Sequence, residues 1–143
     1  MKTFAALLLS ALASIAVVSA EEFDARDSLG INAGRSVDAA IKRAAKEDKR
    51  VLVLALDPDK KNQGFHIRGM MEFEETKDLV KEHFILVVTD FKDKHIRDLV
   101  GEITKERPMY VLFNKDGTVA EKGTAAVGGK VGAELVKKWV AKS

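Results

Sequence analysis

The chain has 143 residues, with 24 Lys or Arg against 22 Asp or Glu, a formal net charge of +2 and no cysteine. Without a thiol there is no disulfide, no thiolate nucleophile, no dithiol redox couple and no cysteine-ligated metal. Near charge balance argues against an electrostatic nucleic-acid or membrane-surface partner, and the length suits one domain whose core needs no staple.

The first element in chain order is a segment for export. Lys2, the apolar run from Phe4 to Val18 and the small-residue site Val18-Ser19-Ala20 supply the three parts of a signal peptide over residues 1–20. The run is diluted by alanine and serine and is shorter than the ~20 residues a spanning helix needs. Cleavage after Ala20 is expected to leave a free protein without stable membrane association, periplasmic or secreted. Removing Lys2 from the 24 basic residues leaves 23 against 22 acidic ones, so the balance is unchanged.

Residues 21–35 are polar and carry glycine, which reads as a weakly structured lead-in with one short strand. Ser36 then stands as an N-cap before Val37, Ala40, Ile41, Ala44 and Ala45 at helical spacing. Asp38 suits the positive end of that helix, and Lys46–Arg50 closes it. Val51–Leu56 is a continuous apolar run of strand length, the pattern of a central strand buried on both faces. Asp57–Gly64 is turn-rich, and Phe65–His83 predicts one long helix with Met70, Phe73, Val80 and Phe84 along one side.

Ile85–Asp90 is a second apolar strand, after which Ile96, Leu99, Val100 and Ile103 form an i, i+3, i+4, i+7 stripe on a helix ending near Arg107. Met109–Phe113, the turn Asn114–Gly117 and Thr118–Glu121 form a hairpin, with Asp116-Gly117 supplying the positive φ. Val131, Leu135, Val136, Trp139 and Val140 mark a last helix. The order α-β-α-β-α-β-β-α specifies an α/β fold, a central mixed β-sheet with helices on both faces, in a single domain over residues 36–143.

Ala39–Arg50 before Val51–Leu54, then His83–Asp90, then Arg107–Gly117 resemble the thioredoxin-like family, in particular its exported members. With Gly123 and the final helix the likeness spans Ser36 to Lys142, and it implies the three-layer thioredoxin-like fold. Its anchor is Pro108. A proline directly before the hairpin strand is where the family keeps a cis-proline facing its active loop, although the sequence leaves the isomer of this bond open.

The departures from the family are as informative. Where the family opens a helix with Cys-x-x-Cys, this chain has Lys60–Phe65, with Asn62-Gln63-Gly64-Phe65 as the matching register. The strand position at which the family often buries a proton-shuttling carboxylate is Leu54 here. A buried carboxylate is costly unless it has chemistry to perform, so its replacement fits a site without thiols. The oxidoreductase activity is therefore not carried over. No catalytic residue, cofactor or resident metal is expected, and the chain reads as a non-enzyme.

The resemblance still implies a binding face made by Lys60, Asn62, Gln63, Gly64 and Phe65 with Arg107, Pro108 and Met109. Family members grip an extended substrate segment there through backbone hydrogen bonds, and such contacts need no thiol. Phe65 and Met109 would offer apolar contact, and Lys60, Lys61 and Arg107 would favour a carboxylate-bearing peptide or protein partner. The expected role is binding, chaperone-like or scaffolding, with partner identity and oligomeric state left open. The plainer alternative is that Phe65 opens the core face of its helix and the lysines are solvated turn residues.

Two further alternatives belong to other classes. His66 and Met70, four apart, share a helix side and offer imidazole and thioether to copper, with Met71 and Met109 as further sulfurs. Asp57 and Asp59 offer paired carboxylates for non-thiol hydrolysis, although acids flanking a proline are commonly placed by turn chemistry alone. The glycine-rich stretch from Gly123 to Val131 fails the spacing of a phosphate loop.

Overall fold

The computed structural model describes residues 23–60, 62–100, 107–125 and 128–142. Residues 1–20, read above as a signal peptide, Lys61, and the part of the helix predicted to end near Arg107 that holds Ile103 lie outside the described residues.

The centre of the molecule is β1 (Arg50–Leu56), and all but its last residue is buried. It lies between β2 (Phe84–Asp90), parallel to it from Arg50↔Phe84 to Leu56↔Asp90, and β3 (Met109–Phe113), antiparallel from Val51↔Phe113 to Ala55↔Met109. β4 (Val119–Thr124) closes the sheet beyond β3, giving the order β2-β1-β3-β4. The sheet is mixed, as the apolar runs predict. The hairpin turns at Gly117, φ +87°, where the Gly117 amide donates to the Asn114 carbonyl.

Strand alternation splits the core into two layers. Val51, Val53 and Ala55 face α2 (Val37–Glu47) and α5 (Lys94–Val100), where Val37, Ala40, Ala44 and Ile96 meet them. Leu52 and Leu54 face the other way, toward α1 (Ala25–Leu29), α3 (Gln63–Met70), α4 (Glu74–His83) and α6 (Gly129–Ala141). Ser36 caps α2 as predicted, its Oγ accepting the Ala39 amide at 3.2 Å.

Three expectations need correction. The lead-in is more structured than its composition suggests. Asp24 caps α1 by accepting the Asp27 amide, Gly30 ends it in the left-handed region, and Ala25, Leu29 and Ile31 are buried in the core. The short strand there is a single parallel bridge, Gly34 against Val87.

The helix expected over Phe65–His83 is two helices, broken at Met71–Phe73. Met70 and Met71 are both buried, so the first helix has spent its inward face. Phe73 is extended and 46% exposed, and it starts α4, whose first turn carries Glu74 and Glu75. α6 crosses at this break so closely that a Cβ on Gly132 would overlap the Met70 carbonyl oxygen. For the same reason α6 buries Gly132, Val136 and Trp139, while Val131 is 52% exposed rather than in the core stripe.

α6 is held to the sheet by a polar knot around Glu121. Tyr110 Oη and Trp139 Nε1 each donate to Glu121 Oε2 at 2.7 Å, and Lys138 and Lys142 Nζ lie 3.4 Å from Oε1. Gly123 makes room for this, since a Cβ there would press on the Tyr110 ring at 3.1 Å. On the far side of the indole, Arg50 donates to the Trp139 carbonyl and stacks over Phe84, which itself meets Trp139 edge-on.

The hydrogen bond from Tyr110, with those from Trp139 and the lysines, holds the Glu121 carboxyl down to about 2 from its ordinary 4.5, against the opposing effect of burial. Burial, chiefly, and then the Glu121 contact push the Tyr110 hydroxyl up.

Because the folded-state pKa of Glu121 is depressed, its charged form stabilises the fold above pH 4.5, and that contribution is lost as the pH falls toward 2. Glu121→Gln is therefore expected to cost about 1–2 kcal/mol at pH 7 and close to nothing at pH 2, read by urea unfolding at the two pH values. Gly132→Ala is expected to cost about 2–3 kcal/mol in the same measurement, since the overlap is with backbone and cannot be relieved by a rotamer change.

Candidate functional site

The loop that opens α3 follows directly from the end of β1. Asp57 Oδ1 accepts the Asp59 amide at 3.0 Å, the Lys60 amide donates to the Asp57 carbonyl, and the chain turns as an Asx turn around Pro58. Asn62 then enters the left-handed region, φ +67°, as the N-cap of α3, but its side chain makes no capping bond. Gln63 is 3% exposed, and its Oε1 accepts the Asp57 amide at 2.9 Å, tying the helix start back to the strand end. The Asp57 carboxylate is thus engaged as a turn acid.

Gly64 lies under an aromatic ring: a Cβ there would meet Phe23 Cδ2 at 2.9 Å. Phe65 points outward and is 65% exposed, with His66 edge-on to it at 6.1 Å. Phe65 therefore does not open the core face of α3; Ile67 and Met70 do.

These residues surround a groove of about 660 Å³, whose lining includes Lys60, Asn62, Gln63, Gly64 and Phe65. Its other walls come from the carboxyl ends of β1 and β2, namely Leu56, Asp57, Val88, Thr89 and Asp90, and from Phe23, Arg35 and Arg68. The groove thus opens on the β2 side of the loop.

Pro108 sits at the same end of the sheet, since Met109 pairs with Ala55, but on the β3 side. Arg107, Pro108 and Met109 do not line the groove. Arg107 is half-buried and Pro108 is buried, its carbonyl accepting the Ala125 amide at 2.7 Å. Met109 is fully buried in the layer beneath α2 and α5, because strand alternation turns it inward, so it offers no surface to a partner. Among the described residues no peptide bond is cis, so the bond into Pro108 departs from the geometry that the resemblance implies.

The sulfurs do not gather with His66. Met70 and Met71 are fully buried in one core layer and Met109 in the other, across the sheet, and they serve as packing. Among the described residues no group of three or more His, Asp or Glu could hold a metal ion. Leu54 is fully buried in the layer that also holds Ile67 and Met70, so apolar packing continues without interruption where a relay carboxylate would stand.

Sequence reasoning missed Phe23, Arg35 and Arg68. Arg68 was within reach, since it lies three residues after Phe65 and so on a neighbouring part of the helix surface. Arg35 was not, because it arrives beside β2 only through the one-residue bridge at Gly34.

No protein-family model and no curated protein matches the chain. Solved structures do. A thioredoxin from Thermus thermophilus superposes with a TM-score of 0.63 at 10% identity, covering 77% of this chain and 88% of that one. A disulphide isomerase from Xylella fastidiosa Temecula1 gives 0.57 at 16%, covering 73% and 88%. The DsbD C-terminal domain of Neisseria meningitidis, in its oxidised form, gives 0.54 at 16%, covering 78% and 100%.

Gln63→Ala removes the acceptor for the Asp57 amide at a part-buried position. It is expected to cost about 1–2 kcal/mol, measured by urea unfolding, and Gln63→Glu is expected to destabilise as well, since it keeps the oxygen but buries a carboxylate.

Proposed function

We propose that this chain, which has the thioredoxin fold without its thiols, is an exported non-redox binding protein whose partner segment lies against the loop that opens α3. A chain without cysteine has no dithiol to exchange. The observation that carries the binding reading is the groove itself. Where the fold's redox members present two sulfurs, this chain presents an open trough with an exposed aromatic ring, Phe65, on its rim. Exposed aromatics beside a concave polar surface are the composition of contact sites.

Export is supported by the three-part segment over residues 1–20. Among the described residues no helix is long and apolar enough to cross a membrane.

Two measurements test the proposal. Insulin reduction by dithiothreitol is expected to proceed at the reagent's own rate whether or not the protein is added, and acceleration would overturn the non-redox reading. A permanently unfolded, carboxymethylated polypeptide is expected to bind in a calorimetric titration, roughly fivefold or more weakly to Phe65→Asp than to wild type. Equal affinity for the two would remove the α3 loop from the binding face.

A further inference from the structure

We infer that the groove continues along the outer edge of β2 and takes an extended, carboxylate-rich peptide segment read by Arg26, Arg35 and Arg68; this rests on the binding role proposed above. The first ground is continuity. The groove of about 660 Å³ adjoins a second hollow of about 220 Å³, and Phe23, Arg35 and Val88 line both. Together the two run from the first turn of α3, past the carboxyl end of β2, to α1, which contributes Ala25 and Arg26. β2 is an edge strand, and among the described residues its outer side is paired only at Gly34. A long trough that passes the carboxyl end of a strand edge, beyond the Gly34 bridge, matches an extended chain, and a small ion would fill only a fraction of it.

The second ground is charge. Three acids line the trough, and each already accepts a backbone amide of its own turn: Asp24 from Asp27 at 3.0 Å, Asp57 from Asp59 at 3.0 Å and Asp90 from Lys92 at 2.7 Å. The arginines are placed differently. Arg26, Arg35 and Arg68 are exposed, and none is paired with a described acid. Each carboxylate is thus turned to its own loop, while none of the three guanidinium forks has a described acid as its partner, and with Lys60 the described lining holds four cations against three acids. A guanidinium fork matches a carboxylate in a two-bond geometry, which makes glutamate- or aspartate-bearing chain the complementary ligand.

The third ground is the apolar component. Leu56 and Val88 line the same groove and Phe65 stands on its rim, so a segment that alternates acids with apolar residues would satisfy both kinds of surface.

The test is fluorescence anisotropy with three labelled peptides of one length, a glutamate–leucine repeat and its glutamine and lysine counterparts, at about 50 mM and about 300 mM salt. The glutamate peptide is expected to bind roughly tenfold tighter than the glutamine peptide, with the difference shrinking at the higher salt. Arg35→Glu/Arg68→Glu is expected to reverse the preference toward the lysine peptide while leaving the melting temperature unchanged, since both side chains are exposed and neither is paired with a described acid. Equal binding of glutamate and glutamine peptides would overturn this inference and leave the binding role standing. Binding of none of the peptides would overturn both. Displacement of the glutamate peptide by inorganic phosphate at equal concentration would mark an ion site and overturn the extended-peptide reading.

Discussion

The constraint on which the rest of the structure depends is the burial of β1 on both faces. Val51, Val53 and Ala55 serve one core layer, while Leu52 and Leu54 serve the other. With no cysteine in the chain, no disulfide joins those layers, and β1 is the strand at the middle of the three, with β2 and β3 beside it, that face both. Apolar burial of this extent stabilises at about 25 cal/mol per Å² removed from water. It also fixes where the chain can leave the core. β1 ends at Leu56, and the loop wall of the groove is placed by how the chain turns away from that residue.

The second organising feature is the Glu121 knot. Tyr110, Trp139, Lys138 and Lys142 come from β3 and α6, and a single carboxylate on β4 gathers them. A buried indole and phenol each need a hydrogen-bond acceptor, and supplying both from one residue fixes the rotation of α6 about its own axis. That rotation turns Gly132 toward Met70 and forces the close approach that ends α3. The polar knot on one edge of the sheet and the length of the helix behind the groove are therefore mechanically connected.

Much of the fold was legible because its signals were local. Val51–Leu56 reads as a buried strand from an uninterrupted apolar run, Asp116-Gly117 reads as a hairpin turn, and Ser36 reads as a cap. The break between α3 and α4 was not legible, because Phe73 fits a helical stripe by spacing and only the crossing of α6 shows that the stripe is interrupted. Glu121 carries no mark of its role in sequence, since its two main donors lie 11 and 18 positions away. The loop wall of the groove was readable from the position of the missing thiols. The arginine wall was not, because Arg35 reaches β2 through one bridge that no periodicity announces.

Gly64 and Phe23 tie two distant parts of the chain into one mechanical unit. Any side chain at position 64 requires something to shift, and the Phe23 ring is the atom group in its way. The ring also stands where the two hollows along β2 meet. A side chain at position 64 would therefore push on the ring at the junction of the two hollows, so a change in α3 is felt in the lead-in at the far end of the trough.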